Sequence, residues 1–161
     1  MELDDLGPAE HFAAGAVGPP GQRRFYLQVR AGGDIHTLAA EKGQVAALAS
    51  QGLEILVDHE ISSDDEAVDR LIDQGLGIDD PGEGGERFRV GTITLAMAPS
   101  ELLTVTIESI EEDEAVAFVI APEQFKAMAT VALKVVAAGR PMCPWCRLPM
   151  DPENHECPAR N

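Results

Sequence analysis

The residues best suited to chemistry lie near the end of the chain. Cys143, Cys146 and Cys157 are its three cysteines, and His155 stands between the last two. The pattern is Cys-x2-Cys, then eight residues, then His-x-Cys. Zn²⁺ favours four tetrahedral nitrogen and sulfur ligands, and three cysteines with one histidine are a common structural set. Cys143 and Cys146 can share one tight turn. His155 and Cys157, two apart, fall on the same side of an extended segment. Pro149 and Pro152 lower the entropy lost on ordering the loop between the pairs. Four protein ligands leave no position for a reacting water, so the spacing predicts a structural zinc that folds an otherwise coreless tail. The competing chemistry is a thiol-redox Cys-x-x-Cys pair, which needs a thiolate-stabilising setting. The helix expected before Cys143 would face the motif with its C-terminus, where the dipole disfavours a thiolate. Trp145, Leu148 and Met150 flank the ligands and are the candidate partner-binding residues.

Elsewhere no Gly-x-Ser-x-Gly elbow, phosphate-binding loop or dinucleotide fingerprint occurs. His11, His36 and His59 fall on separate expected elements. His36 together with Arg23 and Arg24 forms the candidate lining of a ligand cleft. The net charge of -16 repels phosphate backbones and anionic lipid, which argues against a nucleic-acid role for the tail. No apolar run approaches a membrane span. The acidic start, Met1 to Leu6, lacks a signal peptide's basic and apolar regions. Clustered thiols at ligand spacing suit a reducing compartment, so a cytoplasmic protein is expected.

The elements that must carry these residues read in order. Met1 to Glu10 is expected to be a flexible lead-in. Strands are expected over His11–Val17, Arg24–Arg30 and Ile35–Ala40. In the second of these, Phe25, Leu27 and Val29 alternate with more polar neighbours. A helix follows from Glu41 to about His59, with Val45, Leu48, Leu53, Leu56 and Val57 on its apolar side. Ile61 to Glu86 is acidic and glycine-rich and reads as a mobile connector, with one or two helical turns over Ala67–Gln74. Strands return over Arg87–Met97, Leu102–Ile110 and Ala115–Ile120. A helix then starts near Pro122 and stops at Gly139.

The two halves resemble each other. Phe12-x-x-Gly15 matches Phe88-x-x-Gly91, and Phe25, Leu27 and Val29 match Leu103, Val105 and Ile107. Gln44-Val45-x-Ala47-Leu48 matches Gln124-Phe125-x-Ala127-Met128. The expectation is an α+β fold: duplicated βββα units over 1–60 and 87–140 forming a pseudo-symmetric antiparallel-sheet domain, a connector over 61–86, and a zinc knuckle over 141–161.

Three segments carry a family resemblance. They are Phe12 through Phe25 with its Gly18-x-Pro20-Gly21 turn, Phe88-Arg89-Val90-Gly91-Thr92, and Cys143-Pro144-x-Cys146 through His155-x-Cys157-Pro158. The chain resembles an uncharacterised actinobacterial family of repeat proteins of unknown function. Asn154 stands where that family usually has glycine, which removes no candidate ligand. The resemblance implies an actinobacterial, cytoplasmic protein and supplies no catalytic residue. The resulting expectation is a non-enzymatic zinc protein that acts as an interaction or adaptor module toward a protein partner. The alternatives are an enzyme or small-ligand binder using a cleft between the repeats, and a thiol-redox protein.

Overall fold

The computed structural model describes residues 1–19 and 21–138. Alternation of side chains sets the strands. In β6, Leu103–Ser109, every second residue is buried, so Leu103, Val105 and Ile107 share one face. β7, Glu114–Ile120, turns Val116, Phe118 and Ile120 to the same core. β5, Phe88–Met97, adds Phe88 and Val90. β2, His11–Val17, β3, Arg24–Ala31, and β4, Asp34–Ala40, contribute Phe12, Ala14, Phe25, Leu27, Val29 and Leu38.

Two long helices cover this face. α1 spans Lys42–Asp58 and α3 spans Pro122–Ala137. Each begins with the same device. Gln44 Oε1 accepts a hydrogen bond from the Glu41 N–H, and Gln124 Oε1 accepts one from the Ala121 N–H, both at 2.8 Å. These bonds occupy N–H groups that a helix start leaves free. The helices then meet at Gly52, where an added Cβ would fall on the Phe125 ring. Only glycine lets the two helices approach this closely there.

Sheet order is β1-β7-β6-β5-β4-β3-β2, with β1 over Glu2–Pro8. The outermost strands in that order, β1 and β2, are separated in sequence by Ala9 and Glu10 alone. The Ala9 N–H donates to Val119 O on β7, and the Glu10 N–H donates to Arg30 O on β3. One run of chain therefore leaves β7 and joins β3 within two residues, and the sheet closes on itself. Phe12 and Phe118 meet edge-to-face at this corner, with centroids 5.0 Å apart. At the other corner β4 joins β5 through Leu38 opposite Phe88 and Ala39 opposite Arg89. Both corner joints, β1 with β7 and β4 with β5, are parallel, whereas the remaining pairings are antiparallel. The sheet is thus mixed rather than antiparallel.

Two further expectations change. Residues 2–8 form β1 rather than a flexible lead-in. Backbone pairing to β7 holds this strand, and Leu6 packs on the core. The connector is built into the body. Its helix α2, Asp65–Asp73, is capped by Asp64 and packs Val68 against Ala127 of α3, beside Leu76. Past α2, Ile78 lies over Gly15. Asp79 is then clamped by Gln28, whose Nε2 donates to Asp79 O at 2.7 Å and whose Oε1 accepts from the Asp79 N–H at 2.9 Å.

Gly15 and Gly91 are packing features, as glycines within strands commonly are. A Cβ at Gly91 would stand 2.8 Å from Ser109 O, at the register shift between Val90 and Ile93. Cross-strand register does not set Phe88 in the place of Phe12. Phe12 stands opposite Val29, and the residue placed likewise opposite Ile107 is Ile93.

Candidate functional site

The charged side chains of the first half converge where β4 ends and α1 begins. A cleft of about 520 Å³ opens there, within the range of small-ligand sites. Arg23 enters it from the turn before β3 and Arg24 from the first residue of that strand. Lys42 comes from the first turn of α1, and Arg89 from β5 at the parallel joint. Glu83 and Glu86 form the wall contributed by the connector, and Glu41 lies at the rim.

The four cations differ in commitment. Arg23 Nη1 donates to Val135 O of α3 at 2.9 Å, which ties the cleft to the last turn of that helix. Arg89 Nη2 and Glu41 Oε1 are 3.5 Å apart with both side chains largely exposed, a pairing that contributes little. Arg24 and Lys42 take part in none of the ion pairs formed among the described residues.

Tyr26 also lines the cleft and is only 3% exposed. It makes no side-chain hydrogen bond among the described residues, where a buried phenol ordinarily finds a partner. No fully enclosed side-chain nitrogen or oxygen there lacks a partner, so the hydroxyl is not sealed in the core. The open space beside Tyr26 is the cleft.

Of the residues expected at a ligand cleft, Arg23 and Arg24 are brought together and His36 is not. His36 sits farther back along β4, beside Arg87. Arg87 Nη1 lies 3.3 Å from His36 Nδ1 and donates to Asp4 Oδ2 at 2.9 Å, while Nε donates to Glu114 Oε2 at 3.1 Å. Burial works against the Arg87 charge, but the hydrogen bonds to Asp4 and Glu114 outweigh it and raise its pKa. This node joins β1, β4 and β7 and is structural in character. Sequence reasoning missed Lys42, Arg89 and Tyr26. Each is ordinary for its element, and only the β4–β5 joint and the helix start bring them together.

A second, smaller cleft of about 340 Å³ includes His11, Gln28, Arg30 and Asp79. Burial, then the nearby Arg30 charge, lowers the His11 pKa, with Asp79 opposing them. Gln28 is spent there, donating to Thr37 Oγ1 at 3.1 Å as well as holding Asp79.

A family model described as a protein of unknown function (DUF3090) matches residues 5–157. The chain belongs to this family. The DUF3090 match spans the closed sheet, the connector and the tail as far as Cys157. No curated protein and no solved structure matches the chain. The four expected zinc ligands, Cys143, Cys146, His155 and Cys157, lie outside the described residues, as do Trp145, Leu148 and Met150. Among the described residues no group of three or more His, Cys, Asp or Glu is arranged to hold a metal. No helix among them is long and apolar enough to cross a membrane.

Proposed function

We propose that this DUF3090 protein is a non-enzymatic, zinc-stabilised interaction module of the cytoplasm. Its body is a rigid platform, and its tail holds Zn²⁺ through Cys143, Cys146, His155 and Cys157. Trp145, Leu148 and Met150 beside those ligands present the surface to a protein partner. The observation that carries the reading is the donor set, a complete Cys₃His complement at zinc spacing within fifteen residues of sequence. The zinc supplies folding energy to the tail, and its filled coordination sphere leaves the metal no catalytic position. The net charge of -16 favours a partner other than a polyanion.

The body in this proposal is a duplicated βββα unit, β1/β2-β3-β4-α1 followed by β5-β6-β7-α3. Three observations support it. The first strand of each half begins parallel to the third strand of the other half, then pairs antiparallel with its own second strand. Each closing helix carries the same Gln cap at its third residue. Each Gln also reaches the first strand of the opposite half, Gln44 Nε2 to Val90 O at 3.0 Å and Gln124 Nε2 to Ala9 O at 2.9 Å.

The test is zinc content in protein purified without chelator, beside Cys157→Ser. One zinc per chain, lost in the variant while the body keeps its unfolding midpoint, is the expected result. Metal-free protein in which Cys143 and Cys146 oxidise readily to each other would replace the zinc reading with thiol-redox chemistry.

A further inference from the structure

In a chain this acidic, four of the twelve lysines and arginines line one cleft. Solubility alone does not call for such a concentration, since cations spread over the surface would offset the carboxylates equally well. Two of the four, Arg24 and Lys42, have no counter-ion among the described residues, and the Arg89–Glu41 pair is long and exposed. Tyr26 adds a separate indication. It is nine-tenths buried, unpartnered among the described residues, and borders the same space. A phenol held this way is a preorganised donor for a ligand oxygen.

The part of the lining contributed by the connector has the other sign. Glu83 and Glu86 accept hydrogen bonds but repel an anion. They sit on a connector that is fixed in place by Asp79 on Gln28 and by Ile78 over Gly15, and the Arg87 N–H donates to Thr37 O at 2.7 Å. The connector is therefore held to the body on both sides of Glu83 and Glu86. A bare anion would satisfy the cations and leave the two glutamates unpaired. A ligand with an anionic head and hydrogen-bond donors at its far end satisfies both.

We propose that this cleft binds a small phosphorylated molecule, its phosphate held by Arg24, Lys42, Arg89 and the Tyr26 hydroxyl, and its hydroxyls or amine received by Glu83 and Glu86. Arg23 belongs to the frame, since one of its nitrogens is already engaged by Val135 O. A guanidinium can take two phosphate oxygens at once, and a lysine adds a point charge, so this mixture suits phosphate well. The volume of about 520 Å³ admits a phosphorylated polyol or amine and exceeds what inorganic phosphate needs.

The test is titration of the full-length protein at low ionic strength with four probes: glucose 6-phosphate, glucose, inorganic phosphate and citrate. Calorimetry gives affinity, and amide NMR shifts locate the site. The expected result is saturable binding of glucose 6-phosphate, tighter than inorganic phosphate or citrate and absent for glucose. Shifts should centre on residues 23–26, 39–43 and 83–89. Arg24→Gln combined with Lys42→Gln should weaken binding about tenfold or more, since each removes a charge-assisted contact. Tyr26→Phe should weaken it several-fold. Arg70→Gln, on α2 and outside the cleft, should leave it unchanged. Circular dichroism confirms that each variant is folded. The proposal is overturned by absence of saturable binding to glucose 6-phosphate or by an affinity equal in all variants. Tighter binding of citrate or inorganic phosphate would equally overturn it.

Discussion

Gln44 and Gln124 offer the sharpest test of the body's construction. Each side chain does two jobs, capping its own helix and bonding the first strand of the opposite half. Replacing either with methionine keeps length and volume but removes donor and acceptor together. Gln124→Met abolishes the bonds to the Ala121 N–H and to Ala9 O. Gln44→Met abolishes those to the Glu41 N–H, to Val90 O and, at 3.2 Å, to Gly91 O. A net hydrogen bond contributes about 1 kcal/mol, so each variant should lose roughly 2 kcal/mol. For a chain of this size that is a fall of about 4–8 °C in Tm. Equilibrium urea unfolding, followed by far-UV circular dichroism and by tyrosine fluorescence, measures the loss. The two costs should be similar, and the double variant should lose about their sum because the sites share no partner. A loss below about 0.5 kcal/mol in one variant beside a full loss in the other would refute the equivalence of the two halves, because surface-like substitutions fall in that range.

Gly52→Ala gains up to about 1 kcal/mol of helix propensity but drives a methyl into Phe125, so overpacking of about 1–3 kcal/mol should win and the urea midpoint should fall. Adding Phe125→Leu should return part of the loss. Arg87→Met leaves Asp4 and Glu114 without their shared cation at the β1–β7 joint. A loss of about 1–2 kcal/mol, greater at pH 7 than at pH 4, should appear in the same assay, since the partners are only partly screened. His11 titrates below its ordinary value when folded, because burial and then Arg30 favour the neutral ring. The unfolded state therefore binds the proton more readily. The associated stability is present above about pH 6.5 and is lost as pH falls through the folded value. The difference in unfolding free energy between the protein and His11→Asn should shrink as pH drops from 7.5 to 5, and a constant difference would refute the assignment.

Much of the body was legible because its strands alternate and its two long helices keep an apolar side, although Val57, expected on that side of α1, points to solvent in its last turn. Leu103, Val105 and Ile107 announce β6, and Gly139 marks the neighbourhood where α3 ends. β1 escaped notice for a physical reason. Glu2-Leu3-Asp4-Asp5-Leu6 buries little, and its order comes from backbone bonds to β7, which leave no trace in side-chain pattern. The connector misled through composition. Its acids and glycines outnumber Val68, Leu76 and Ile78, yet these few apolar residues anchor it. The expected match of Phe12 with Phe88 rests on residue type, which does not record cross-strand register: Phe12 faces Val29, whereas Ile93 faces Ile107. In the cleft, Arg23 and Arg24 were identified as neighbours in sequence. Lys42, Arg89 and Tyr26 join them only through the β4–β5 joint, and the same geometry sends His36 elsewhere.

The closure of the sheet sets an order of events during synthesis. β1, Glu2–Pro8, leaves the ribosome well before its partner β7, Glu114–Ile120. The β2–β3–β4 meander needs only local contacts and can form while translation continues. β1 must wait, unpaired, until β7 has been made. Long-range parallel pairing of this kind is slow to find and exposes strand edges meanwhile. The three acidic residues of this strand, Glu2, Asp4 and Asp5, therefore have a use in the nascent chain, because their mutual repulsion discourages the waiting strand from pairing with copies of itself.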